Sequence, residues 1–134
     1  MTDAEKEYVR YRKERAQASW EVARWAFEHE LLQDSVNRLY YACFYLVSAL
    51  LLTDGMASSK HTGVRSLFNQ HWIKTGRLPV FVGRFYQTLF DKRQEGDYLD
   101  GTVFSRHDVE RWFNEAQQFI EVISKQIDKR LKQI

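Results

Sequence analysis

Val36-Asn37-Arg38-Leu39-Tyr40-Tyr41-Ala42-Cys43-Phe44-Tyr45-Leu46-Val47-Ser48-Ala49-Leu50-Leu51-Leu52 is the stretch that decides the fold. Val36, Leu39, Tyr40, Cys43, Val47 and Leu50 recur at helical spacing on one face. Phe44, Leu46, Leu51 and Leu52 carry the apolar surface most of the way round. A helix apolar on nearly every side is one that other helices surround, which predicts a central helix over residues 34–53. Asp34 or Ser35 is positioned to cap its start, and Asp54-Gly55 to end it, with Gly55 in a left-handed conformation. The apolar run from Leu39 to Leu52 contains three tyrosines and a serine and is too short to span a bilayer, so no membrane association is expected.

Four more helices are predicted around it. The first covers residues 3–30, capped by Thr2 or Asp3, with Ala16, Trp20, Ala23 and Phe27 forming an amphipathic stripe that Tyr8, Tyr11 and Arg15 extend. The third covers residues 62–74, with Val64, Leu67, Phe68 and Trp72 facing inward and Gly76 as its stop. The fourth covers residues 80–95, burying Phe81, Phe85, Leu89 and Tyr86 and ending at Gly96. The fifth starts at Ser105 or His107 and carries Val109, Trp112, Ala116, Phe119, Ile123 and Ile127 at helical spacing. Short connections favour antiparallel neighbours, so the expected architecture is a single all-α domain over residues 1–134, an up-and-down bundle of four to five helices.

Composition agrees. One proline and six glycines suit long helices and fit a β-sandwich poorly, because a sandwich needs a turn every few residues. Apolar residues at 44% and aromatics at 15% argue against disorder. Cys43 is the single cysteine and lies in the apolar run, so it reads as a small buried hydrophobe. The opening Met1-Thr2-Asp3-Ala4-Glu5-Lys6-Glu7 has no basic segment followed by an apolar one, so a cytoplasmic location is expected. A net charge of +2 neither demands nor excludes a nucleic-acid partner. The local run Arg10, Arg12, Lys13, Arg15 reads as a solvated face, or as a surface for an anionic partner.

The polar residues that interrupt the apolar pattern are the functional candidates. Arg38 sits one turn into the most apolar helix, where a guanidinium needs a partner. Tyr41 and Tyr45 share its side. In Lys92-Arg93-Gln94-Glu95-Gly96-Asp97-Tyr98, a turn at Gly96 would fold Asp97 and Tyr98 back beside Arg93. Both clusters read either as structural ion pairs or as a small-anion site shared by the two arginines. His61, after Lys60 at the start of a helix, reads as part of a capped loop or of a phosphate site. The four histidines have no metal-ligand spacing with carboxylates, and glycine-rich phosphate loops and nucleophile elbows are missing, so no metal and no cofactor are expected.

Asn37-Arg38-Leu39-Tyr40-Tyr41-Ala42-Cys43-Phe44, followed by Ala49-Leu50-Leu51, resembles the HEPN domain (higher eukaryotes and prokaryotes nucleotide-binding), in particular its small stand-alone bacterial and archaeal members. Lys60-His61-Thr62-Gly63-Val64 with Phe68 is similar to the family's K-H-x-G-V…F segment. Ile73-Lys74-Thr75-Gly76-Arg77-Leu78 is similar to the connection that follows it, and Arg93-Gln94-Glu95-Gly96-Asp97-Tyr98 to its R-x-x-x-D-Y signature. The resemblance spans about residues 8–125 and implies a helical bundle that is commonly a homodimer. It also implies a minimal nucleotidyltransferase as partner in a toxin–antitoxin pair. Toxin members of the family are metal-independent RNases with an R-x(4–6)-H motif, in which histidine handles a proton and arginine steadies phosphate charge.

This chain departs from that motif. Asp97 or Tyr98 occupies the place of the histidine after Arg93, and a carboxylate of ordinary pKa is a poor proton donor at neutral pH. Arg65 and His71 satisfy the bare spacing, but six residues along a helix turn through about 600°, which splays the two side chains apart. Three readings stand at this point. The first is a nucleotide- or RNA-binding or partner module with Arg38, Tyr41, His61, Arg93, Asp97 and Tyr98 as its site. The second is an RNase toxin with a histidine from elsewhere, such as His61. The third is a structural dimerisation module in which the arginines only fix packing.

Overall fold

The computed structural model describes residues 1–133. It contains five α-helices: α1 (Asp3–Glu28), α2 (Leu32–Leu52), α3 (His61–Phe68), α4 (Val80–Tyr98) and α5 (Arg106–Leu131). No strand occurs among the described residues. α2 touches each of α1, α3, α4 and α5 and carries eleven buried residues, as its all-round apolarity requires. Contacts between Ser35 and Ala23, Ser19 and Arg38, and Arg15 and Tyr45 run in opposite order along α1 and α2, so these helices are antiparallel. Asn37 with Asp97 and Tyr40 with Phe90 show the same for α2 and α4. Phe68, Tyr86, Phe85 and Phe119 pack in the core between α3, α4 and α5.

α2 is longer than the apolar run alone suggests. Its 21 residues are long and apolar enough to cross a bilayer, so the length argument against a span fails. What marks it as a core helix is that 61% of that stretch is buried by the other helices.

The helix ends show how local chemistry sets the bundle. Thr2 caps α1 by accepting from the Glu5 N–H, and Ser105 caps α5 by accepting from Asp108. α1 stops at Glu28 rather than Glu30 because the chain closes a left-handed turn: Leu31 N–H bonds to the Ala26 carbonyl and Glu30 N–H to that of Phe27, with Glu30 at φ 61°. Glutamate is rare in that conformation, so composition does not signal it. α2 has no side-chain cap, because Ser35 is turned inward and donates to the Ala23 carbonyl. Gly55 takes the left-handed conformation expected of it, and Gly76, expected only as a helix stop, takes it too. The third predicted helix divides into α3 and a π-helical turn, Asn69–Ile73, closed by a bond from Lys74 N–H to the Asn69 carbonyl. Phe81 is exposed, contrary to expectation, because Val82, Phe85 and Leu89 form the inner stripe of α4. Cys43 is fully buried and its thiol pKa is pushed up by that burial.

Gly96 corrects the largest sequence-based error. It does not end α4, which continues to Tyr98. A Cβ at position 96 would lie 2.9 Å from Cε2 of Phe104 and 3.3 Å from Cγ of Gln33. The glycine is needed for close approach, and its carbonyl accepts from the Gln33 side chain. Asp97 therefore reaches Arg93 as its i+4 neighbour on one helix face, not by a turn back.

Candidate functional site

Two helical stripes face one another where α2 crosses α4. On α2, Asn37, Tyr40, Tyr41 and Phe44 share a face; on α4, Tyr86, Phe90, Arg93 and Asp97 do. His61, the first residue of α3, closes the gap from the side.

Arg93 is only 6% exposed. Its guanidinium carbon lies 4.7 Å from the ring centre of Tyr40 and 5.8 Å from that of Tyr41. Its one ion pair among the described residues is to Asp97, at 3.5 Å, and its buried Nε has no partner. Asp97 is divided between two neighbours, for its oxygens also accept from Asn37 Nδ2 at 3.0 and 3.3 Å. The amide oxygen of Asn37 in turn accepts from Arg38 Nε at 3.0 Å and Nη2 at 2.8 Å. Arg38 lies 4.9 Å over Tyr41 and has no carboxylate within ion-pair distance among the described residues. One guanidinium thus meets the single carboxylate, and the Asn37 amide links that carboxylate to the second guanidinium.

His61 joins the cluster through Tyr40. Its Nδ1 is 2.8 Å from the Tyr40 hydroxyl, and its ring stacks on Phe44 at 4.4 Å and meets Tyr41 edge-on. Burial, and then the positive charge of Arg93, lower the imidazole pKa and favour the neutral ring. Tyr40 is fully buried, and burial pushes its pKa up to about 12, so it remains a phenol.

Of the six predicted site residues, five gather here: Arg38, Tyr41, His61, Arg93 and Asp97. Tyr98 does not. It lies five residues beyond Arg93, about 140° round the helix, and is 73% exposed. Arg65 and His71 also remain apart. Arg65 lies over Phe90, while His71 belongs to the π-helical turn. Sequence reasoning missed two members. Asn37 was the available signal for one, a polar amide beside Arg38 on the face of the central helix. Tyr40 was counted only as core, because nothing local reveals that its hydroxyl meets a histidine 21 residues away.

The profile of the HEPN domain matches residues 9–127. The chain belongs to the HEPN family. Among relatives, a UPF0332 protein of Thermotoga maritima is 39% identical over 128 residues, which is 96% of each chain. Two proteins of Methanocaldococcus jannaschii are named as toxins. "Putative toxin MJ0605" is 31% identical over 89% of this chain and 85% of its own, and "Putative toxin MJ0142" is 37% identical over 67% of this chain and 60% of its own. The matched span of the HEPN profile contains every residue of the α2–α3–α4 cluster.

Proposed function

We propose that this HEPN protein binds the phosphates of RNA or a nucleotide at the Arg38–Arg93 cluster and serves as the toxin-like member of a pair with a minimal nucleotidyltransferase. One observation carries the reading: a nearly buried arginine with an unpartnered Nε holds one long ion pair to a divided carboxylate, and a second arginine beside it has no carboxylate within reach. A buried cation normally has its charge matched, and the unmatched charge here is what an incoming phosphate would balance. Guanidinium groups suit phosphate because their planar donors bind two oxygens at once. The names of the two archaeal relatives support a toxin role. A homodimer in the cytoplasm accompanies this reading, and Val80 and Phe81 on the outer side of α4 offer exposed apolar surface for a second copy.

Fluorescence anisotropy with a labelled RNA tests the binding. Arg38→Ala is expected to fold like the wild type, since its side chain is only half-buried, and to weaken binding about tenfold, the scale of one charge-assisted phosphate contact. Wild-type affinity in that variant would reject the site.

His61 supports a second reading, RNA cleavage. An imidazole whose neutral form is favoured, near the Arg93 guanidinium, is a base suited to take the 2′-hydroxyl proton while the 2′-oxygen attacks phosphorus. The 5′-oxygen then leaves and is protonated by water, with the arginines stabilising the added negative charge. Gel analysis of RNA incubated with wild type, His61→Ala and Arg93→Ala checks this. Cleavage by the wild type that survives in both variants would assign it to a contaminant.

A further inference from the structure

The basic run of α1 is not one surface but two. Tyr8, Arg12 and Arg15 stand at i, i+4 and i+7 and share a face, whereas Arg10 and Lys13 are turned well away from it. The second pair is neutralised within the fold: Arg10 by Glu7 at 2.9 Å, and Lys13 by Asp128 of α5 at 2.5 Å. The first pair has no carboxylate within ion-pair distance among the described residues.

Instead, Arg12 and Arg15 lie on tyrosines. Arg15 sits 5.1 Å over the ring of Tyr45 and donates to its hydroxyl at 3.0 Å. Arg12 is 5.9 Å from the same ring and 5.3 Å from that of Tyr8, and its Nε is buried with no partner. Tyr45 is 6.0 Å from Tyr41, which lies under Arg38. The order of groups is therefore continuous: Arg93 and Arg38, Tyr41, Tyr45, Arg15 and Arg12, Tyr8. The seven-step rise along α2 from Arg38 to Tyr45 covers about 10 Å, and the α1 stripe carries the row further, beyond the reach of one nucleotide.

We propose that this row is a track for single-stranded RNA leading into the Arg38–Arg93 site, so that the ligand is an oligonucleotide and not a mononucleotide. The proposal rests on the phosphate-binding reading of that site. Unpaired guanidiniums follow a sugar–phosphate backbone, and interleaved aromatic rings accept bases whose faces are free only in a single strand. An acidic protein surface would be met by the charges but would have no use for the alternating rings.

The test compares a labelled ten-nucleotide oligo(A) RNA with AMP, on wild type, on Arg12→Gln/Arg15→Gln, and on Arg24→Gln/Lys129→Gln, which removes the same charge from exposed positions elsewhere. The wild type is expected to bind the decamer at least tenfold more tightly than AMP. The first double variant is expected to lose about tenfold in decamer affinity, with the slope of log K against log salt falling by about 1.4, two phosphate contacts at about 0.7 each. The control double variant is expected to stay within about twofold of the wild type. An unchanged decamer affinity and slope in Arg12→Gln/Arg15→Gln would overturn the track while leaving the site intact. A decamer affinity that falls there but not in Arg93→Ala would overturn the site reading and keep the stripe as an RNA surface. If the wild type binds neither probe, or if the first double variant instead dissociates a dimer, the track is overturned.

Discussion

Two regions of this bundle use the same parts to different ends. Near the end of α2, Arg77 and Arg130 lie 3.5 and 5.1 Å over Trp72, and both reach one carboxylate, Asp54, at 3.4 and 2.5 Å. Near its start, Arg38 and Arg93 lie over Tyr41 and Tyr40, again with one carboxylate, Asp97. In the first region the aspartate is committed to the arginines, and it ties the α2 terminus to the segment before α4 and to the last turns of α5. In the second the aspartate is 3.5 Å from one arginine, engaged by an amide, and out of ion-pair reach of the other. Arginines stacked on aromatic rings do not by themselves mark a site. What separates the two clusters is whether the carboxylate is shared out within the fold or left unequal to the charge around it.

The largest expected difference is in stability. Asp54→Ala strips two partly buried guanidiniums of their shared partner and is expected to cost about 2–3 kcal/mol, less than a fully buried pair because the groups keep some solvent. Asp97→Ala is expected to cost less, about 1–2 kcal/mol, because its one ion pair is long at 3.5 Å, although its loss leaves the nearly buried Arg93 without a carboxylate. Urea denaturation of both variants measures this, and equal losses would abolish the contrast. A smaller effect is expected in binding. Asp97→Asn removes the only carboxylate of the α2–α4 cluster and is expected to tighten RNA binding about threefold, by roughly 0.5–1 kcal/mol. Weaker binding would mean that Asp97 positions Arg93 more than it competes with phosphate.

The smallest effect is a pH dependence centred on His61. Its pKa is lowered in the folded protein, so the unfolded chain takes up the proton first as pH falls. The contribution of His61 is thus complete above about 6.5, the ordinary imidazole value, and is lost as pH drops from there through the lower folded value. Thermal melts at pH 7.5 and 5.5 should show a larger drop for the wild type than for His61→Gln. Equal drops would place the titration elsewhere in the molecule.

The fold was legible because its signal is periodic. The all-round apolarity of α2 and the single stripe of α5 specify a central and a peripheral helix, and α5 begins at Arg106, directly after its capping Ser105. The errors lie where one residue serves a long-range contact. Glu30 adopts a conformation that glycine usually takes, and Gly96 sits in a helix where glycine usually ends one. The site was legible in part for the same reason. Arg38 and Arg93 stand out because charge interrupts an apolar pattern. Tyr40 conforms to that pattern, and its link to His61 exists only once α3 has packed against α2. Tyr98 was misplaced because the turn invoked for it does not form.

Gly96 has a further consequence. In a helix interior, alanine is normally preferred to glycine by about 1 kcal/mol. At position 96 that preference is opposed by Phe104 and Gln33, which occupy the space an added methyl group would need. Asp97 and Arg93 stand on the same turns of α4, so pressure on this contact is transmitted to them without any change in a charged residue. A substitution that improves the helix on paper would therefore disturb the arginine cluster from behind while leaving every residue of that cluster in place.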